Sequence, residues 1–99
     1  MKDFLENINK VFENRVRLAV MSILMINDAI DFNTLKETLG LTDGNLASHM
    51  AMLEKNDYIS VKKKFVGKKT ETSYTATAPG RLAFTEHLCA LELLIKGNR

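Results

Sequence analysis

Two groups of polar side chains have the types and spacing for recognition chemistry. The first is Thr42, Asp43, Gly44, Asn45, Ser48, Met52 and Lys55. It is what remains exposed when Leu46, Met50 and Leu53, at i, i+4 and i+7, are assigned to the buried face of one helix, with Ala47 and Ala51 adding only small side chains. A helix face without large aliphatic side chains suits a groove about 12 Å wide. Asn45 can bond an adenine edge or a phosphate, and Thr42 and Ser48 suit the backbone or a base edge. Gly44 lets the helix start come close to a phosphate, towards which the first-turn N–H groups present partial positive charge. Asp43 is the awkward member: it repels phosphate unless it accepts from a cytosine amino group or caps the helix. The second group is Lys62, Lys63, Lys64, Lys68 and Lys69, five lysines in eight residues. Such a cluster would hold phosphates independently of sequence and lose its grip with salt.

Charge is distributed to match. Residues 1–57 carry six basic and nine acidic side chains, giving −3, whereas residues 58–81 carry six basic and one acidic, giving +5. Residues 82–99 balance at zero, so the net charge of +2 hides one concentrated basic stretch.

Other chemistries fit poorly. His49, His87 and Cys89 lack zinc-ligand spacing, and an i, i+2 separation of His87 and Cys89 does not put them on one helical face. Cys89 reads instead as a small buried or interfacial residue. Ser48 and His49 are helix neighbours about 100° apart, which is no catalytic pair. With no glycine-rich phosphate loop and no nucleophile motif, the expectation is a non-enzyme without cofactor or metal. The chain has 99 residues, 45% hydrophobic and 26% charged, which predicts a single domain over 1–99. No apolar run approaches the roughly 18 residues that span a bilayer, the N-terminus lacks a signal-peptide layout, and one cysteine suits a reducing compartment. The chain is therefore expected to be cytoplasmic and not membrane-bound.

The elements that must position the two groups follow from periodicity and caps. Phe4, Leu5, Ile8, Val11 and Phe12 predict a helix over about 3–12, with Asp3 as its cap. Residues 15–26 are apolar nearly all round and predict a buried helix ended by Asn27-Asp28. Ala29-Ile30 suits a very short strand. Asp31 caps a helix from Phe32 to Leu39, Gly40 supplies its left-handed exit, and Thr42 caps the next helix, over 42–55. Helix, tight glycine turn, helix is the helix-turn-helix layout. Residues 58–64 and 70–77 read as a hairpin turning at Val66-Gly67-Lys68-Lys69, with Ile59 and Val61 facing inward. Thr77 caps a last helix over about 78–96. The fold class is α+β, mostly α: a winged helix-turn-helix with an added N-terminal helix and a long C-terminal one.

Across roughly residues 14–84 the chain resembles the small single-domain winged-helix transcriptional regulators of the MarR and ArsR types. The residues that carry the likeness are Arg17 to Leu24, Phe32 to Lys36, Leu39 to Thr42, Asn45 to Glu54, Tyr58-Ile59, the lysine hairpin, Thr72-Ser73-Tyr74 and Thr77 to Arg81. The resemblance implies sequence-specific binding of double-stranded DNA by a homodimer, usually as a repressor. The helix over 42–55 would enter the major groove, and the wing over 62–70 would follow the backbone or an adjacent groove. Three departures stand out: Asp57 replaces the usual glycine before Tyr58-Ile59, Ala76 replaces a large aliphatic residue, and the wing has no arginine. Phe4, Ile8, Val11 and Phe12, with Phe84, Leu88, Leu91 and Ile95 spaced 4-3-4, suggest that the terminal helices form the dimer interface. The rival to these expectations is a winged helix that docks a protein without touching DNA. A further option is an unidentified small-molecule effector, for which Met21, Met25, Met50 and Met52 would make an adaptable pocket if they are not simply core.

Overall fold

The computed structural model describes residues 2–97, with side chains described from Leu5 onward. The side chain of Phe4, expected at a dimer interface, lies outside the described residues. The elements are α1 (Lys2–Asn7), a 3-10 turn (Lys10–Phe12), α2 (Arg15–Met25), β1 (Ile30–Asp31), α3 (Phe32–Leu39), α4 (Asp43–Lys55), β2 (Ile59–Val66), β3 (Lys69–Ala76) and α5 (Ala78–Lys96). The winged helix-turn-helix with two added terminal helices is the fold observed.

Side-chain caps set most of the helix boundaries. Asn14 accepts from Val16 N and Arg17 N, Asp31 from Thr34 N, Thr42 from Asn45 N and Thr77 from Gly80 N. Gly40 closes α3 in the left-handed region at φ 63°. At the other end of α2, Arg81 of α5 donates to the carbonyls of Met25 and Leu24 at 3.1 and 3.4 Å, satisfying acceptors that the helix leaves open.

One expected helix is not continuous. The apolar spacing over 3–12 predicts a single helix capped by Asp3, but α1 starts at Lys2, contains Asp3 and ends at Asn7. The cause is tertiary. Asn9 donates its backbone N–H to His87 Nδ1 at 3.0 Å and its side-chain amide to the Tyr58 hydroxyl at 2.9 Å, while its Oδ1 caps the following turn at Val11 N. Those bonds to distant elements compete successfully with one more turn of helix. The break lets α1 lie along α5 while Phe12 turns into the core.

The core joins Val20, Met21 and Leu24 of α2, Leu35 of α3, Leu46, Met50 and Leu53 of α4, and Ile59, Tyr74 and Ala76 of the sheet. Phe12 and Phe84 close it at the α5 side, their rings edge-on with centroids 5.1 Å apart, and Phe12 also stacks on Tyr58 at 5.3 Å. The apolar spacing puts both on a dimer surface. The structure corrects this: each is 2% exposed inside one chain, so neither can meet a second copy as placed. Ile8, Val11 and Leu91 are half-buried, while Leu88 and Ile95 are exposed.

The sheet has the order β1-β3-β2, all antiparallel. Ile30 pairs with Tyr74, so the two-residue strand ties the α2–α3 connection to the base of the wing. At that base the backbones of two elements touch. A Cβ built on Gly80 would lie 2.1 Å from the Tyr58 carbonyl oxygen, so only glycine fits there. Thr77 fastens the same junction, donating its backbone N–H to Tyr58 O at 3.1 Å and its hydroxyl to Asp57 O at 2.7 Å.

Candidate nucleic-acid interface

Leu46, Met50 and Leu53 anchor α4 at 0 to 3% exposure, and this turns the other side of the helix to solvent. Thr42, Asp43, Gly44, Asn45, Ser48, Met52 and Lys55 are all exposed and form one surface. The Thr42 hydroxyl accepts from Asn45 N at 3.1 Å as the cap, which leaves its own proton for an outside acceptor. Nothing in the chain comes within 4 Å of a Cβ built on Gly44, so no internal contact requires a glycine there. Among the described residues, the Asn45 carboxamide and the Ser48 hydroxyl have no side-chain hydrogen bond to the protein.

Asp43 is not a bare charge. Its Oδ1 lies 2.9 Å from Lys36 Nζ of α3, and the bond to Asp43 holds the Lys36 ammonium above its ordinary pKa. The acid at the head of α4 therefore comes with a cation across the helix turn. As an exposed pair it contributes little to stability, but it removes much of the expected conflict with a phosphate.

Three residues stand apart at the site: Arg15 and Arg17, which the sequence did not assign to it, and Lys63 of the lysine cluster. Arg15, at the start of α2, lines a recess with Asn14, Thr42, Asn45 and His49. Lys63 lines a second recess, between α4 and the wing, with Ala47, Ala51, Glu54 and Thr72. Strand parity is the signal that separates Lys63 from the other lysines. Ile59, Val61, Lys63 and Phe65 share the face turned to α4, whereas Lys62 and Lys64 share the opposite one. Arg17 is the third, and it acts through α4. Its Nε donates to Val11 O at 2.6 Å and its Nη1 meets His49 Nδ1 at 2.9 Å. A guanidinium only donates, so His49 must accept through Nδ1 and carry its proton on Nε2. Burial, then the Arg17 charge, holds the His49 pKa below its usual range.

The wing is a two-residue hairpin. Val66 pairs with Lys69, and Gly67 takes φ +66° at the first turn position, which a type II′ turn reserves for glycine. Lys62, Lys64, Lys68 and Lys69 are exposed. Lys64 faces Glu71 across the strands at 3.8 Å, a loose surface pair. Asp57, where the family resemblance leads one to expect glycine, adopts φ +62° in the turn out of α4. The departure is in the residue and not in the backbone.

The two histidines and the cysteine lie apart in role. His87 is buried and accepts from Asn9 N, and burial lowers its pKa against an opposing pull from Glu13. Cys89 is exposed in the single chain, so of its two expected places, buried or interfacial, the buried one does not hold. Among the described residues no helix is long and apolar enough to cross a membrane.

Comparison with known proteins places this arrangement. Residues 16–95 match the model of the winged helix DNA-binding domain family. An uncharacterised protein of Methanocaldococcus jannaschii is 34% identical over 87 residues, spanning 88% of this chain and 95% of that protein. Among solved structures, a transcriptional regulator homologue from Pyrococcus horikoshii is similar with a TM-score of 0.87 and 28% identity, covering 98% of this chain and 97% of that one. The structure of NadR in complex with 4-hydroxyphenylacetate shares the fold at a TM-score of 0.72 and 18% identity, over 97% of this chain and 67% of that one.

Proposed function

Because the chain belongs to the winged helix DNA-binding domain family, we propose that it is a sequence-specific transcriptional regulator, acting in the cytoplasm as a homodimeric repressor. In this reading α4 enters the major groove, with Asn45 and Ser48 on base edges or backbone and Thr42 and Gly44 at a phosphate. Lys55 and Met52 border the same groove. Lys62, Lys64, Lys68 and Lys69 hold phosphates along the backbone or in the adjacent groove. The observation that carries the reading is the polar, solvent-facing side of α4 standing beside an exposed lysine hairpin whose base shares its core.

The homodimer reading rests on geometry of the target and on apolar surface. One helix-turn-helix reads a short half-site, and two copies read half-sites about 34 Å apart. Leu5, Leu88, Leu93 and Ile95 are exposed apolar residues on α1 and α5, with Leu88 44% and Ile95 85% exposed. Ile8, Val11 and Leu91 border them. Sedimentation at tens of micromolar tests this part, and a monomer there ends the dimer model.

DNA binding itself is tested by fluorescence anisotropy on random-sequence duplex DNA across a salt series. The expected result is affinity that falls steeply with salt, followed by selection of an operator from a random pool. Negligible binding at low salt would replace this reading with a protein-docking winged helix. A small-molecule effector, of which NadR with 4-hydroxyphenylacetate is one example among proteins of this fold, would register as a ligand-dependent change in operator affinity.

A further inference from the structure

The wing has an apolar tip that its charges do not explain. Phe65 is 81% exposed and Val66 54% exposed, next to the turn and between Lys62-Lys63-Lys64 on one side and Lys68-Lys69 on the other. A single exposed apolar residue is ordinary. A phenyl ring in the middle of a phosphate-seeking surface is less so, because that surface is brought against a partner.

We propose that Phe65 is a DNA-contact residue whose ring packs on the deoxyribose and base edges of the minor groove beside the major groove that receives α4. The proposal rests on the DNA-binding reading above and adds a contact that is apolar where the wing otherwise offers only charge. Face, reach and charge support it. Phe65 lies on the strand face of Val61 and Lys63, the face turned to α4, and pairs across the hairpin with Thr70, a small residue that leaves the ring uncovered. From Ile59 in the core, six further residues of β2 carry Phe65 roughly 20 Å outward at about 3.3 Å per residue. Neighbouring major and minor grooves are separated by half of a DNA turn of about 34 Å, roughly 17 Å. The flanking lysines supply the complementary charge for the two phosphate strands that wall a minor groove. Apolar side chains are used productively there by other minor-groove binders.

The test uses the same anisotropy titration with Phe65→Ala, Phe65→Leu and the double variant Lys68→Ala with Lys69→Ala. Phe65→Ala is expected to weaken binding about tenfold with the salt slope unchanged, and Phe65→Leu to recover part of the loss. The lysine variant is expected to make the slope shallower. The chain has no tryptophan, so Phe65→Trp is a single reporter whose emission should shift to the blue and resist acrylamide quenching when duplex is added. Thermal unfolding checks that each variant folds, as the exposure of residue 65 implies. If the wild type binds with a steep salt dependence and Phe65→Ala binds equally well, the ring contact is overturned while DNA binding stands. A slope change in Phe65→Ala matching that of the lysine variant would also overturn it, since the ring would then only shape the wing. If the wild type does not bind at low salt, the DNA reading falls and takes the ring's role with it.

Discussion

Helix α4 and the wing are built in opposite ways. Helix α4 is fixed at three buried positions, Leu46, Met50 and Leu53, capped by Thr42 and braced through His49 by Arg17. Its exposed side carries few charges: Asp43, paired to Lys36, at the start, and Glu54 and Lys55 at the end. The wing is fixed only at its base, through Ile59, Tyr74 and Ala76. From Lys62 to Thr70 it is exposed and carries five of the fourteen basic side chains. In the proposed function the difference separates two tasks: base reading demands a firmly packed frame, whereas phosphate contact tolerates an arm held only at its base because charge acts at a distance.

Substitutions on either side of that divide should behave differently. The largest effect is expected from Leu46→Ala, which empties a fully buried site in the frame and should cost about 2–5 kcal/mol of stability, read by denaturant unfolding. Asn45→Ala is expected to leave stability unchanged and to reduce discrimination at one operator position by about 1–3 kcal/mol, measured as the ratio of specific to random-duplex affinity. Lys68→Ala with Lys69→Ala should weaken binding to all sequences alike, the salt slope falling by about one for each phosphate no longer neutralised. An unchanged slope would remove the wing from the interface. Gly44→Ala is the most discriminating small change. With open space around it, alanine should raise stability by about 0.5–1 kcal/mol, yet weaken DNA binding if the helix start lies against a phosphate. The smallest effect belongs to pH. His49 and His87 both have pKa values lowered from 6.5 by burial, so the unfolded chain takes up protons first as pH drops. Their contribution is complete above about 6.5 and declines below it, to be followed as the unfolding midpoint between pH 7.5 and 5.

The sequence was informative where structure is local. Asp31, Thr42 and Thr77 act as the expected caps, Gly40 takes its left-handed exit, and the buried face of α4 follows from spacing alone. It was silent where distant elements decide. Phe4 to Phe12 keeps helical spacing across Asn9, and only His87 and Tyr58, far away in the chain, break the helix. Apolar spacing also marked Phe12 and Phe84 without saying what they face, and they face each other. At the site, Arg17 and Arg15 carried no local signature, because their roles depend on how α2 crosses α4. The glycine usual before Tyr58 has a counterpart in the backbone of Asp57. At φ +62°, Asp57→Gly is expected to add up to about 1 kcal/mol of stability by relieving a left-handed conformation.

β2 is also the outer strand of its sheet, since β3 lies between it and β1. One full edge of an eight-residue strand therefore offers unpaired N–H and C=O groups to any passing strand, including that of another copy. Lysines along such an edge keep copies apart by mutual repulsion. The cations assigned to phosphate thus act as a guard against edge-to-edge stacking when no nucleic acid is present, and stripping them should make concentrated protein prone to fibrous self-association.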